Sequence, residues 1–203
     1  MIKNELGIST SIFRVFEPEK LRLLSENNVR YVELATNCYE TFRNQELCTK
    51  LSRILHETYL KVNSIHVPFS GTMDISSENA ADRRKTIDTA KFCIEKLVEL
   101  EGRCIVIHPS WEPVNEHERA IRFDFCRNSL KIISEFIGSE HVTIAVEHLP
   151  RACLCNTSTE VKRLIDDIKS EKFGICQDVN HCNLQEDLAT VTQSYGEKVI
   201  SRP

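Results

Sequence analysis

Three histidines, a glutamate and an aspartate are the residues of this sequence best placed to do chemistry. His66 stands in SIHVPF, His108 in VIHPS, Glu147 in AVEHLP, and Asp178 with His181 in QDVNH. The first four close short apolar, β-branched runs, each separated from the next by about one βα unit, roughly 30–40 residues. Imidazoles and carboxylates converging on one point are the right donors for a divalent cation. A carboxylate directly after VTIAV must be paired, protonated or metal-bound if it is buried. Taken singly, His66 or His108 reads as an ordinary hydrogen-bonded residue, and Asp178 as a cap on the turn after its strand. Four repeats of one placement make coincidence the weaker account. His56, His117, His141 and His148 lack that placement and read as surface or packing residues. Trp111, just after His108, either walls a sugar pocket or covers a rim.

The elements that must position these groups alternate. Strands are expected at 5–9, 30–35, 62–69, 104–110, 142–149 and 173–180, where β-branched and apolar residues cluster. Helical spacing fills the intervals. EPEKLRLLSENN carries an early proline; Leu47, Leu51, Ile54 and Leu55 share one face of the next helix. Residues 78–100 align Ile87, Ala90, Ile94, Leu97 and Val98, and RFDFCRNSLKIISEFIG follows. In STEVKRLIDDI, Ser158 is the expected cap and Val161, Leu164, Ile165 and Ile168 face inward. LQEDLATVTQSYG closes on Gly196 as a C-cap. Such alternation means an α/β fold with a parallel sheet, either doubly wound or a (β/α)8 barrel. LGISTSIF has one glycine and no phosphate-binding loop, which disfavours the nucleotide-binding open sheet.

Residues two apart on a strand share a face. His66 therefore lies with Ser64, His108 with Val106 and Cys104, and Glu147 with Ala145. Small or apolar residues beneath each polar one suit a barrel interior, whose strand C-termini ring the mouth where catalytic groups sit. Asp178 faces that mouth, and a turn of the chain can return His181 to the same centre.

With 203 residues, 41% hydrophobic, 28% charged and a net charge of −4, the chain suits one packed domain, 1–203. The charge gives no reason to expect nucleic acid or an anionic membrane as partner. MIKNELGISTSIF lacks a signal-peptide pattern and no apolar run reaches transmembrane length, so a cytoplasmic location is expected. Nine cysteines, an odd number, read as reduced packing residues, and Cys153-Leu154-Cys155 is too short for a zinc motif.

In this order, SIHVPF, VIHPS, AVEHLP and QDVNH resemble the xylose isomerase-like TIM-barrel superfamily, over essentially the whole chain. That superfamily includes sugar isomerases and epimerases and the endonuclease IV type of DNA repair enzyme. The resemblance implies Glu147 as metal ligand and acid/base, and Asp178 as a second ligand. It implies His181, His66 and His108 as substrate-binding residues in epimerase-type members or as further ligands in endonuclease-type members. The implied cofactor is a divalent metal ion (Mn, Mg or Zn). The implied reaction is proton transfer through an enediolate on a small sugar or sugar phosphate, placing the chain in carbohydrate metabolism. The family pattern continues with a strand-seven histidine and a strand-eight glutamate, whereas this sequence reaches VISRP. About six βα units and a stub of strand seven are therefore expected, with C-terminal units lacking. Unpaired edges would follow, and a homodimer is the oligomer they would favour. Three readings remain: an isomerase or epimerase, inactive if the missing ligands are required; a phosphodiester hydrolase of the endonuclease IV type; and a non-catalytic barrel fragment.

Overall fold

The structure, a computed structural model, describes residues 6–201. Glu5 of the first expected strand, and Arg202 and Pro203 of the tail, lie outside the described residues. Seven strands form one sheet in the order of the chain, and every neighbouring pair is parallel. They are β1 (Gly7–Ser9), β2 (Tyr31–Leu34), β3 (Lys61–His66), β4 (Cys104–Ile107), β5 (Thr143–Glu147), β6 (Phe173–Cys176) and β7 (Val199–Ser201). The helices are α1 (Leu21–Glu26), α2 (Tyr39–Arg43), α3 (Gln45–Thr58), α4 (Ala80–Glu99), α5 (Glu116–Ile137), α6 (Ser158–Ile168), α7 (Val179–Asn183) and α8 (Leu188–Tyr195). Parallel neighbours in sequential order need a crossover after each strand, and the helices supply it. The result is a curled, incomplete (β/α)8 barrel of the TIM type.

Alternation along the strands sorts the two faces. Val32, Leu34, Ile65, Ile105, Ile107, Ile144, Val146 and Ile175 join one large apolar core with the inner faces of the helices. Each such isoleucine taken from water contributes about 1.5–3 kcal/mol of gross hydrophobic stabilisation. The opposite face holds a second, small cluster: Cys104, Val106, Ala145 and Cys176. Cys104, Val106 and Ala145 are the residues that alternation places beneath His108 and Glu147, and Cys176 on β6 joins them. All nine cysteines are free and buried, as their apolar surroundings lead one to expect.

Several boundaries move for local reasons. The strands stop earlier than expected, so His108 lies one residue beyond β4, and Asp178 and His181 fall in and before α7. Thr157, not Ser158, caps α6: its side chain accepts the Glu160 N–H, while Ser158 Oγ donates to Glu186 Oε1 at 2.9 Å. Val98 on α4 is exposed, and Cys93 takes the inner position expected of it. Leu47 is half-buried, and Cys48 completes the inner face of α3. The C-cap at Gly196 is as expected, with φ 54°.

Candidate functional site

The site is built at the C-terminal ends of β3 to β6, one group each from β3, β4 and β5 and two, Asp178 and His181, after β6. Glu147, the last residue of β5, is 3% exposed, and its carboxylate is the centre of the cluster. His66 Nε2 and His108 Nε2 each lie 3.1 Å from Glu147 Oε2. His181 Nδ1 lies 3.2 Å from Glu147 Oε1. The parallel register sets this convergence: Ser64 aligns with Cys104, Val106 with Ala145, and Glu147 with Cys176.

Asp178 does two things. Its Oδ1 caps α7, accepting the N–H groups of Asn180 at 2.8 Å and His181 at 3.0 Å. Its Oδ2 stands 3.5 Å from His181 Nδ1. The cap reading was right, and it is compatible with the site: α7 begins at once and its first turn swings His181 back toward Glu147.

Burial works against the charge on Glu147, yet the surrounding imidazoles, His108 first, outweigh it and hold the carboxyl well below its usual range. Burial also opposes a charge on His66, but the hydrogen bond and charge of Glu147, with Glu33 adding, raise its pKa. At His181 the same contest, with Glu147 and Asp178 against burial, also ends upward. At His108 burial wins, and the pKa falls.

The donor set can be tested against a divalent cation. Val67 O lies 3.0 Å from His66 Nδ1, which fixes the proton on that nitrogen. The Nε2 lone pair of the neutral ring then faces a carboxylate oxygen at 3.1 Å. Such an approach is stable only with a cation present, either a proton or a metal. His66, His108 and Glu147 offer one ligand atom each within 4.8 Å of one another, and so do Glu147, Asp178 and His181. Nitrogen and oxygen donors, half-buried around the buried Glu147 and with an oriented tautomer, fit a divalent ion. His181 Nδ1 meets three oxygens, those of Glu147, Asp178 and the His148 carbonyl at 3.1 Å, so it is better suited to donate a hydrogen bond.

All the expected residues, Trp111 included, line one cavity of about 480 Å³. Trp111 is therefore a wall as well as a rim. Phe69 stacks on the His108 ring with centroids 3.7 Å apart and stands 5.9 Å from the Trp111 ring. Sequence reading passed over Phe69 and Glu33. Glu33 of β2 lines the cavity and accepts hydrogen bonds from Ser9 Oγ at 2.9 Å and Ser64 Oγ at 3.1 Å. Its signal was present: in YVEL the flanking Val32 and Leu34 point to the core, so Glu33 must point inward. At the mouth, Arg151 forms a two-pronged ion pair with Glu112. His148 is fully buried; its ring bonds Tyr195 Oη at 2.6 Å.

Residues 21–201 match the family described as the xylose isomerase-like TIM barrel, and the chain belongs to that family. Among solved structures, a D-tagatose 3-epimerase-like protein superposes with a TM-score of 0.85 at 22% identity, over 98% of this chain and 75% of that one. The Escherichia coli 3-keto-D-glucoside 4-epimerase gives a TM-score of 0.82 at 19% identity, over 98% of this chain and 78% of that one. The Methanocaldococcus jannaschii protein MJ1311 is 27% identical over 188 residues, 88% of this chain. The chain spans 61% of that relative's length. Among the described residues, no helix is long and apolar enough to cross a membrane.

Proposed function

We propose that the chain is a divalent-metal-dependent sugar epimerase- or isomerase-like protein, with Glu147 as acid/base. The observation that carries this is the convergence of His66, His108 and His181 on the two oxygens of one buried carboxylate, inside a cavity walled by Phe69 and Trp111. His66, His108, Glu147 and Asp178 would hold the ion. When bound, the ion supplies Lewis acidity to two vicinal substrate oxygens. Glu147 is placed to take the proton from the hydroxyl-bearing carbon beside the carbonyl and to return it. His181, donating from Nδ1, is placed to orient the carboxylate or a substrate hydroxyl. The aromatic pair packs on the apolar face of the sugar and excludes water from the exchanging proton.

An isomerase or epimerase needs a second acid/base on the opposite face, which the resemblance assigns to a later glutamate. The sugars named for the structural relatives, D-fructose and D-tagatose among them, are the substrates to try. In D2O with Mn2+, Glu147 alone predicts deuterium uptake at the substrate carbon, and a second acid/base adds the epimer. Uptake that is absent from the metal-loaded protein, or equal in Glu147→Gln, contradicts the reading. The cavity argues against a phosphodiester substrate: its wall carries Glu33, Glu112, Glu147 and Asp178 against a single Arg151, already paired with Glu112.

A further inference from the structure

Arg122 does not touch the cavity just described, yet it is 8% exposed and bonded to both loops that supply its aromatic wall. It rises from α5. Its Nη2 donates to Asp74 Oδ2 at 2.6 Å and to Ser76 Oγ at 3.1 Å, in the loop between β3 and α4. The same nitrogen lies 3.3 Å from Trp111 O, and Nη1 donates to Pro113 O at 3.2 Å, in the loop between β4 and α5. Asp74, 4% exposed, completes the clamp by accepting from Ser76 N and Ser76 Oγ, both at 2.7 Å. The first loop carries Phe69. The second carries Trp111.

A buried ion pair is weak evidence for stability, since removing both charges from water offsets most of the attraction between them. Here the offset is larger, because Arg122 Nε finds no hydrogen-bond partner. What the pair does supply is direction: a planar fork bonding two loops at once fixes their spacing. Trp111 needs fixing. It lines both the site and a second cavity of about 300 Å³, shared with Gly71, Asp74, Pro113 and Arg122.

We infer that the Arg122–Asp74 pair is the positioning device that holds the Phe69–Trp111 wall against the sugar site. This rests on the reading of that cavity as a sugar site. Trp111 is the one tryptophan in the chain, so its fluorescence reports the wall without interference. The experiment compares the wild type with Asp74→Asn, Arg122→Lys and, as control, Glu118→Gln, whose carboxylate is 3.7 Å from Arg122 Nη1. Indole emission and acrylamide quenching are read first, then Mn2+ affinity, then D-fructose binding by the Mn2+-loaded protein. Asp74→Asn and Arg122→Lys should shift the emission to the red and raise quenching, with Mn2+ affinity unchanged. D-fructose should bind about tenfold more weakly, the scale expected when a positioning contact is lost. Glu118→Gln should behave as wild type. Folded Asp74→Asn with unchanged emission and quenching overturns the inference; this near-isosteric variant decides the matter if Arg122→Lys does not fold. Absence of Mn2+ and D-fructose binding in the wild type would count against the sugar reading alone, because the indole signal still supports or overturns the clamp.

Discussion

The middle of the sheet and its ends are built differently. β4 and β6 are buried at every residue and β5 at all but the first, whereas β1 and β7 have no buried residue. Every candidate ligand comes from the middle: His66 ends β3, His108 follows β4, Glu147 ends β5, and Asp178 and His181 follow β6. From the ends come Ser9, which bonds Glu33, and Ser11 just after β1, both lining the cavity. The site therefore stands on the part of the fold whose geometry is over-determined by packing, and an unclosed edge costs it little. The contrast also separates two questions that the family likeness joins. Whether a metal can bind depends on the middle; whether a full epimerisation can run depends on a second acid/base.

The largest effect should come from emptying the middle. Ile105 is fully buried, and Ile105→Ala should cost about 2–5 kcal/mol in denaturant unfolding. Ile200 on β7 is 39% exposed, and Ile200→Ala should cost under about 1 kcal/mol. Equal losses at the two positions would erase the distinction. Metal should act on the middle too: Mn2+ at a hundredfold excess over its Kd should stabilise the fold by about 2.7 kcal/mol, seen as a raised Tm. That rise should vanish in Glu147→Gln.

A third test joins the two regions. A Cβ on Gly174 of β6 would lie 2.7 Å from Ile200 Cγ1 and 2.8 Å from its Cδ1 and Cγ2. Gly174→Ala should push β7 off and cost about 1–3 kcal/mol, with most of it recovered in the Gly174→Ala, Ile200→Ala double variant. No recovery would mean that the strain lies within the middle itself. The smallest effect is chemical. Burial pushes the thiols of Cys38, Cys93 and Cys104 up to about 12, and that of cavity-lining Cys153 to about 11. A raised pKa keeps each as the unreactive thiol until pH approaches that value. Alkylation at pH 8 should therefore be slow in the folded protein and fast in denaturant.

Much of this was legible in the sequence. The sheet follows from apolar runs alternating with helical periodicity, and the convergence of the candidate residues from one ionisable residue closing each run. Glu147 was the clearest, since five apolar or small residues commit its strand to burial. Less was readable where tertiary contacts decide. The Asp178 cap that starts α7 was readable locally, but that the first turn brings His181 Nδ1 to within 3.2 Å of Glu147 Oε1 depends on tertiary contacts. Phe69 acquires its role only by stacking on His108, 39 positions away, and Arg122 only by reaching Asp74, with |i−j| of 48. Glu33 was readable from YVEL, but a carboxylate on an early, half-buried strand carries a weaker signal than one after VTIAV.

The central claim is that Glu147 organises a metal centre within this chain. Stoichiometric Mn2+ binding, measured by elemental analysis after stripping and reloading, tests it against Glu147→Gln. The account predicts about one ion per chain in the wild type, with affinity lower by about a hundredfold or more in the variant. Equal metal content in the two proteins, or none in the wild type, would contradict it.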